Sequence, residues 1–207
     1  MTDPRIALVA AAYDALGDDW EAWKTGVSED PRDAWCDELF LRLQPGAHVL
    51  ELGCGGGTDE TQRLAERFRL TGVDLSVEQL RRARVRVPGA EFVRADLTEL
   101  DVPPESFDAV AAFYVLNHVP RELLPDLFST IRGALVPGGL FLTTLGASDL
   151  PGWTGEWLGQ PTFFAGFEPD TNRRLLADAG LVVLRDEVVT IREPDGDATF
   201  HWVLARR

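Results

Sequence analysis

From residue 48 onward the apolar positions alternate between short β-prone runs and the 3.6-residue spacing of amphipathic helices. His48 to Leu52 reads as a strand ended by Gly53, and Thr61, Leu64, Ala65 and Phe68 then recur at i, i+3, i+4 and i+7, which predicts a helix. Leu70 to Leu75 is a second buried strand. Ser76 and Gln79 carry a capping-box signal for a helix with Leu80, Ala83 and Val87 on its inner face. Glu91 to Ala95 and Phe107 to Val115 read as the third and fourth strands, and Leu124, Leu127, Phe128, Ile131 and Leu135 mark the next helix. Pro137-Gly138-Gly139 stops that helix ahead of a fifth strand over Leu140 to Leu145. A helix over Asn172 to Ala179, closed by Gly180, precedes strands over Leu181 to Ile191 and Thr199 to Ala205, joined through Pro194-Asp195-Gly196-Asp197. Strands alternating with helices predict an α/β fold with a doubly wound, Rossmann-like, mostly parallel sheet and helices on both faces. The closing pair joined by a tight turn predicts an antiparallel hairpin at the sheet's end. A ligand is expected beyond the strands' C-terminal ends.

Two segments break the alternation, residues 1–45 and residues 146–169. Both are rich in aromatics, among them Trp20 in the first and Trp153, Phe163 and Phe164 in the second. Glycine and proline in the second segment discourage regular structure, and a long aromatic loop in a compact domain is usually functional. These four rings are the substrate-binding candidates; the competing reading is that they only cover the core. One domain is expected: a helical cap over 1–45, a ligand-binding core over 46–145, a substrate loop over 146–169, and a C-terminal helix and hairpin over 170–207.

Charge narrows the partners. A formal net charge of -14 sets up a long-range field that repels polyanions, so nucleic acid is not expected. Arg81, Arg82, Arg84 and Arg86 form the densest basic cluster, which reads as a solvated helix face. The two cysteines, Cys36 and Cys54, have no metal spacing, and Cys54 lies among glycines where a disulfide would obstruct a ligand loop. A cytoplasmic protein without metal or membrane segment, monomeric or homodimeric, fits these features best.

The densest chemistry lies at the first strand. Val49 to Gly57, VLELGCGGG, ends a strand and opens a helix, so Gly53, Gly55 and Gly57 let backbone approach a ligand closely. Alone this also fits a nicotinamide-cofactor fingerprint or a plain glycine-rich turn. Asp74 follows at the end of the second strand, where an acid accepts hydrogen bonds from ribose hydroxyls in many nucleotide sites. Glu51 before the first glycine, Thr58 where a dinucleotide pattern wants Gly or Ala, and the Asp96-Leu97 pair separate this chain from the dinucleotide pattern.

With GVDLS, RADL, FDAVAAFYVLNHV and LVPGGLFL following VLELGCGGG in order, the chain resembles the class I S-adenosylmethionine-dependent methyltransferases from about Val49 to its C-terminus. The resemblance implies a seven-stranded sheet whose last strand is antiparallel, S-adenosylmethionine as cofactor and S-adenosylhomocysteine as product. It also implies that Gly53, Cys54 and Gly55 line the methionine and ribose portion, with Glu51 organising the loop. Asp74, with neighbouring Leu75, would hold the ribose. Asp96 would accept from the adenine amino group beside the Leu97 N–H, and backbone at Phe113 and Tyr114 would face the methionine ammonium. Tyr13 resembles a tyrosine that covers the cofactor in small-molecule members. His118, after the fourth strand, is the first candidate for a general base and Tyr114 a weaker one. Phe113-Tyr114-Val115-Leu116 stands where the family's amino-methylases of DNA and protein often carry an Asn/Asp-Pro-Pro-Tyr/Phe signature. The expected acceptor is therefore a small apolar or aromatic metabolite, methylated at oxygen or nitrogen. A cofactor-binding protein or cyclase that does not methylate is the alternative. A nicotinamide-dependent reductase is disfavoured by Thr58 and by a lone lysine, Lys24, with no Tyr-x-x-x-Lys pair.

Overall fold

The computed structural model describes residues 3–207; the first two residues of the expected N-terminal cap lie outside that range. Fifteen helices and strands follow from Pro4, beginning with α1 (Pro4–Lys24) and α2 (Arg32–Arg42). The alternating core then runs β1 (His48–Leu52), α3 (Asp59–Arg67), β2 (Arg69–Asp74), α4 (Val77–Arg86), β3 (Glu91–Arg94), β4 (Phe107–Ala112), α5 (Leu124–Ala134) and β5 (Leu135–Gly146). It closes with β6 (Leu150–Trp157), β7 (Gln160–Gly166), α6 (Pro169–Asp178), β8 (Val182–Glu193) and β9 (Gly196–Arg206).

Seven strands form one sheet in the order β3-β2-β1-β4-β5-β9-β8. The first five are parallel; β9 runs antiparallel to both β5 and β8. The last strand in the chain is therefore the inverted one, inserted beside β5 by the expected hairpin. The period of two sorts β1 between the two faces. Leu50 and Leu52 pack into the cluster under α5 and α6, while Val49 points to the other side with Trp35, Leu39 and Leu64 of α2 and α3. Glu51 shares Val49's parity, so a carboxylate is carried toward α3 rather than into the larger apolar cluster.

Helix starts follow local chemistry. Thr58 caps α3 through a reciprocal pair with Thr61. Ser76 Oγ accepts from Gln79 N at 3.1 Å, as its spacing predicts, but the return arm is absent: Ser76 N donates to Asp74 Oδ1 at 2.9 Å instead. The strand's terminal acid thus takes the place of the glutamine.

Three elements differ from the sequence expectation. β4 ends at Ala112 rather than Val115, because Tyr114 adopts φ 54° and a 3₁₀ turn over Leu116–His118 follows. β5 starts at Leu135, ahead of the Pro137-Gly138 irregularity. Most consequentially, residues 146–169 are no irregular loop: β6 and β7 form a separate antiparallel ribbon. Leu158 (φ 50°) and Gly159 (φ 73°) supply the two left-handed positions of a tight hairpin turn. Both strands are edges, so Pro151 and Pro161 break no interior ladder.

α1 lies over the strand ends, packed on β7 and α4. It is kinked at Gly17, whose φ of 46° and ψ of -115° are not helical. Asp14 Oδ1 accepts from Ser76 Oγ and from Glu78 N, tying α1 to the start of α4. Arg82 and Arg86 reach Asp18 and Glu21, at 2.7 Å each, while Arg81 pairs with Glu78 at 2.8 Å. Three of the four arginines of α4 are thus ion-paired, two of them to α1, while Arg84 donates to Phe92 O.

Candidate active site

A cavity of about 550 Å³ opens where β1 and β4 lie side by side and their connections leave in opposite directions. Its floor is the turn after β1. Gly53 and Gly55 hold φ of 68° and 53°, and the amides of Gly53 and Cys54 both donate to Val73 O. Asp74, at the end of β2, accepts from Gly55 N through Oδ2 at 2.9 Å and from Ser76 N through Oδ1 at 2.9 Å. The same acid therefore shapes both turns and lines the cavity.

Besides Arg32 Nε and Asn117 Oδ1, three buried polar groups of the cavity lining are left open among the described residues. Glu51 Oε1 accepts from Thr61 Oγ1 at 3.0 Å, while Oε2 is buried without a hydrogen-bond partner. Asp96 Oδ1 accepts from Thr98 N and Thr98 Oγ1, the turn role its position suggests, and its Oδ2 is likewise buried and unpartnered. Gln79 Oε1 is the third. Unmet acceptors around a glycine floor call for a ligand rich in donors and positive charge. Burial pushes the Glu51 carboxyl up to about 8.

The opposite wall comes from elements far apart in sequence. Tyr13 and Trp20 of α1, Trp153 of β6 and Phe164 of β7 line the same cavity as the β1 turn. Leu75, Leu97, Phe113, Tyr114 and His118 line it as well. Two candidates do not. Cys54 is buried, its Sγ set against Gly72 in the cluster with Leu80 and Phe92. Phe163 is also buried, on the far side of its strand from Phe164, with Arg5 over its ring at 5.4 Å. Trp23 and Trp157, also in the two aromatic-rich segments, line the cavity too, while sequence reading missed Asp30, Arg32 and Glu193. No local spacing signals them.

His118 is held by two contacts that define its proton. Phe163 O, a pure acceptor, lies 2.9 Å from Nδ1, so Nδ1 carries the hydrogen. Nε2 then accepts from Tyr13 Oη at 3.0 Å. Burial pushes the imidazole down to about 4, so it stays neutral at physiological pH. The Tyr114 phenol donates to Asp30 Oδ1 at 2.8 Å and lies under the Arg32 guanidinium at 4.7 Å. Burial raises it far above the usual range, so the hydroxyl is held as a donor. Its backbone N–H reaches Thr144 Oγ1, which anchors the left-handed turn after β4.

An open α/β sheet with acids at the ends of β1, β2 and β3, and no phosphate cradle demanded by a fingerprint, defines a nucleoside-binding fold of the methyltransferase class. Residues 49–139 match the methyltransferase-domain family, which supports the resemblance to the class I S-adenosylmethionine-dependent methyltransferases. It is 40% identical over 130 residues to a trans-aconitate 2-methyltransferase of Paracidovorax citrulli, an alignment covering 59% of this chain and 48% of that protein. A second trans-aconitate 2-methyltransferase, from Rhizobium leguminosarum, is 32% identical over 151 residues, covering 70% of this chain and 54% of the relative. The chain spans about half the length of these curated relatives. Among solved structures, the 1,6-didemethyltoxoflavin-N1-methyltransferase of Burkholderia thailandensis superposes with a TM-score of 0.76 at 22% identity, covering 100% of this chain and 91% of that one. A methyltransferase of Mesorhizobium loti superposes at 0.68 and 24% identity, over 86% and 97% of the two chains. These structures share the fold.

Glu51 makes a direct prediction about the cofactor. With its carboxyl near 8, most of it is protonated at pH 7, and a bound sulfonium and ammonium favour the carboxylate. Titration of S-adenosylmethionine at pH 7 should therefore release up to about one proton per site, read as a dependence of the calorimetric enthalpy on the buffer's ionisation heat. Glu51→Gln should remove that dependence.

Proposed function

We propose that the protein transfers a methyl group from S-adenosylmethionine to a small acceptor with a flat, apolar body, at nitrogen or oxygen. The single observation that carries this is one cavity with two unlike halves, a glycine floor with unmet carboxylates and a wall of aromatic rings. Asp74 suits the ribose hydroxyls, Asp96 Oδ2 the adenine amino group, and Glu51 Oε2 the positive end of the methionine portion. When bound, the cofactor supplies an activated methyl on a sulfonium, with a neutral thioether as leaving group.

The residues of this chain then act mainly by placing the acceptor. Alignment of two reactants contributes roughly 7–11 kcal/mol through effective molarity. Tyr13, hydrogen-bonded to His118, fixes α1 across the cavity and excludes water from the junction of its two halves. A neutral His118 with Nε2 occupied by Tyr13 serves as a positioning residue, and a strong base is unnecessary for a neutral amine acceptor.

The named activity of the relatives, trans-aconitate methylation, fits this wall poorly. A tricarboxylate would meet only Lys24 and Arg32 as lining cations, and Arg32 already contacts Asp30 at 2.8 Å and Glu60 at 3.3 Å. The test is S-adenosylhomocysteine formation by purified protein offered heteroaromatic amines, phenols and trans-aconitate. Turnover with members of the first two groups and none with trans-aconitate is expected. Trans-aconitate as the best acceptor would overturn the proposal.

A further inference from the structure

The acceptor end of the cavity has a charge pattern the methyl-transfer chemistry does not need. Glu193, at the end of β8, lines it half-buried and makes no hydrogen bond or ion pair among the described residues. Tyr13 and Tyr114 line the same cavity. Burial, with Asp195 and Asp30 nearby, pushes its carboxyl up to about 7. Neither lining cation pairs with it: Arg32 is ion-paired with Asp30 and Glu60, and Lys24 lies over the ring of Trp20. Glu193 is therefore an acid with no cation of its own.

Around it stand aromatic faces. Trp23 and Trp157 meet edge to face at 5.1 Å, as do Tyr13 and Trp20 at 6.4 Å, and Trp157 and Tyr13 are tilted at 6.2 Å. Trp23 Nε1 donates to Asp195 Oδ1 at 3.1 Å, fixing the ring next to the acidic rim. Lys24 Nζ already sits 5.7 Å above Trp20, so these faces accept a cation. Aromatic walls and an unpaired carboxylate together form the arrangement that recognises an ammonium group.

We propose that the acceptor carries a cationic nitrogen, a protonated or alkylated amine, which Glu193 holds against the rings of Trp20, Trp23 and Trp157. This rests on the methyltransferase reading and names the substrate class that the same cavity takes. It disfavours carboxylate-bearing acceptors, which would face Glu193, Asp30 and Asp195 with Lys24 as the one lining cation that makes no ion pair among the described residues.

Three probes with one ring system separate the possibilities: tryptamine, 3-methylindole and indole-3-acetate, each titrated calorimetrically into the protein with and without S-adenosylhomocysteine. Tryptamine is expected to bind at least tenfold tighter than indole-3-acetate. Glu193→Gln should weaken tryptamine about tenfold while leaving 3-methylindole and S-adenosylhomocysteine unchanged. Equal binding of the three probes, preference for the acetate, no binding of any at about 1 mM, or an unmoved tryptamine affinity in the variant would overturn the inference. Failure of S-adenosylhomocysteine to bind overturns the cofactor reading instead, and the amine preference is then read on the free protein.

Discussion

Replacing Asp74 with alanine is expected to weaken S-adenosylmethionine binding at least a hundredfold while the protein stays folded. Asp74 already accepts from Gly55 N and Ser76 N, so one carboxylate sets the shape of the β1 and β2 turns and still presents its remaining lone pairs to the cavity. Hydrogen bonds to a charged acceptor contribute about 1.5–3 kcal/mol each, and two ribose hydroxyls make about 3 kcal/mol a lower figure, near two decades of affinity. The alanine also leaves two turn amides without their acceptor, so the loop presents a less ordered floor. Asp74→Asn keeps one acceptor oxygen but sets its NH2 against one of the two turn amides, and it should lose about tenfold. Calorimetry on both variants, with circular dichroism as the folding control, checks this. A loss of less than tenfold in the alanine variant would mean that the ribose is held elsewhere.

The second large effect is expected from Gly53→Ala. Gly53 has φ 68°, and a Cβ built there would lie 2.4 Å from Val115 Cγ2 and 2.6 Å from Val115 Cβ. Two penalties add: about 1–2 kcal/mol for a side chain in the left-handed region, and about 1–3 kcal/mol for the overlap. We expect a loss of about 2–5 kcal/mol, or a midpoint lower by about 10 °C in a chain of this size, together with loss of cofactor binding. Gly46→Ala separates the two contributions, because Gly46 has φ 83° with no atom within 4 Å of the built Cβ. It should lose only about 1 kcal/mol and leave cofactor affinity intact. Pairing Gly53→Ala with Val115→Gly should recover the overlap part alone. An unshifted midpoint in the single variant would show that the turn relaxes at no penalty.

Much of the cofactor half was legible before any coordinates. Glu51, Gly53, Asp74 and Asp96 each stand at a strand end or in the turn just after one, and those ends follow from local apolar periodicity. The Ser76 cap was legible for the same reason, since a cap is a contact across three residues. The acceptor half was not. Its wall is made by α1, the end of β8 and the β6-β7 ribbon, and that ribbon's glycines and prolines read as punctuation until the pairing of Trp153 with Phe164 shows a strand register. Even where the sequence pointed to a residue, its partners stayed open: His118 is a base candidate by position, and only the packing sets Nδ1 against Phe163 O and Nε2 against Tyr13 Oη.

The sequence by itself determined the alternation of strands and helices, the closing hairpin, the glycine turn and the acids that follow each strand, because these depend on spacing within a few residues. Only the tertiary structure decided that Cys54 and Phe163 face away from the cavity, that Arg32 is already matched by Asp30 and Glu60, and that Glu193 faces the aromatic wall without a cation. Side-chain direction, burial and pairing across long sequence separations are set by how the elements pack, and burial in turn fixes the charge state of each group.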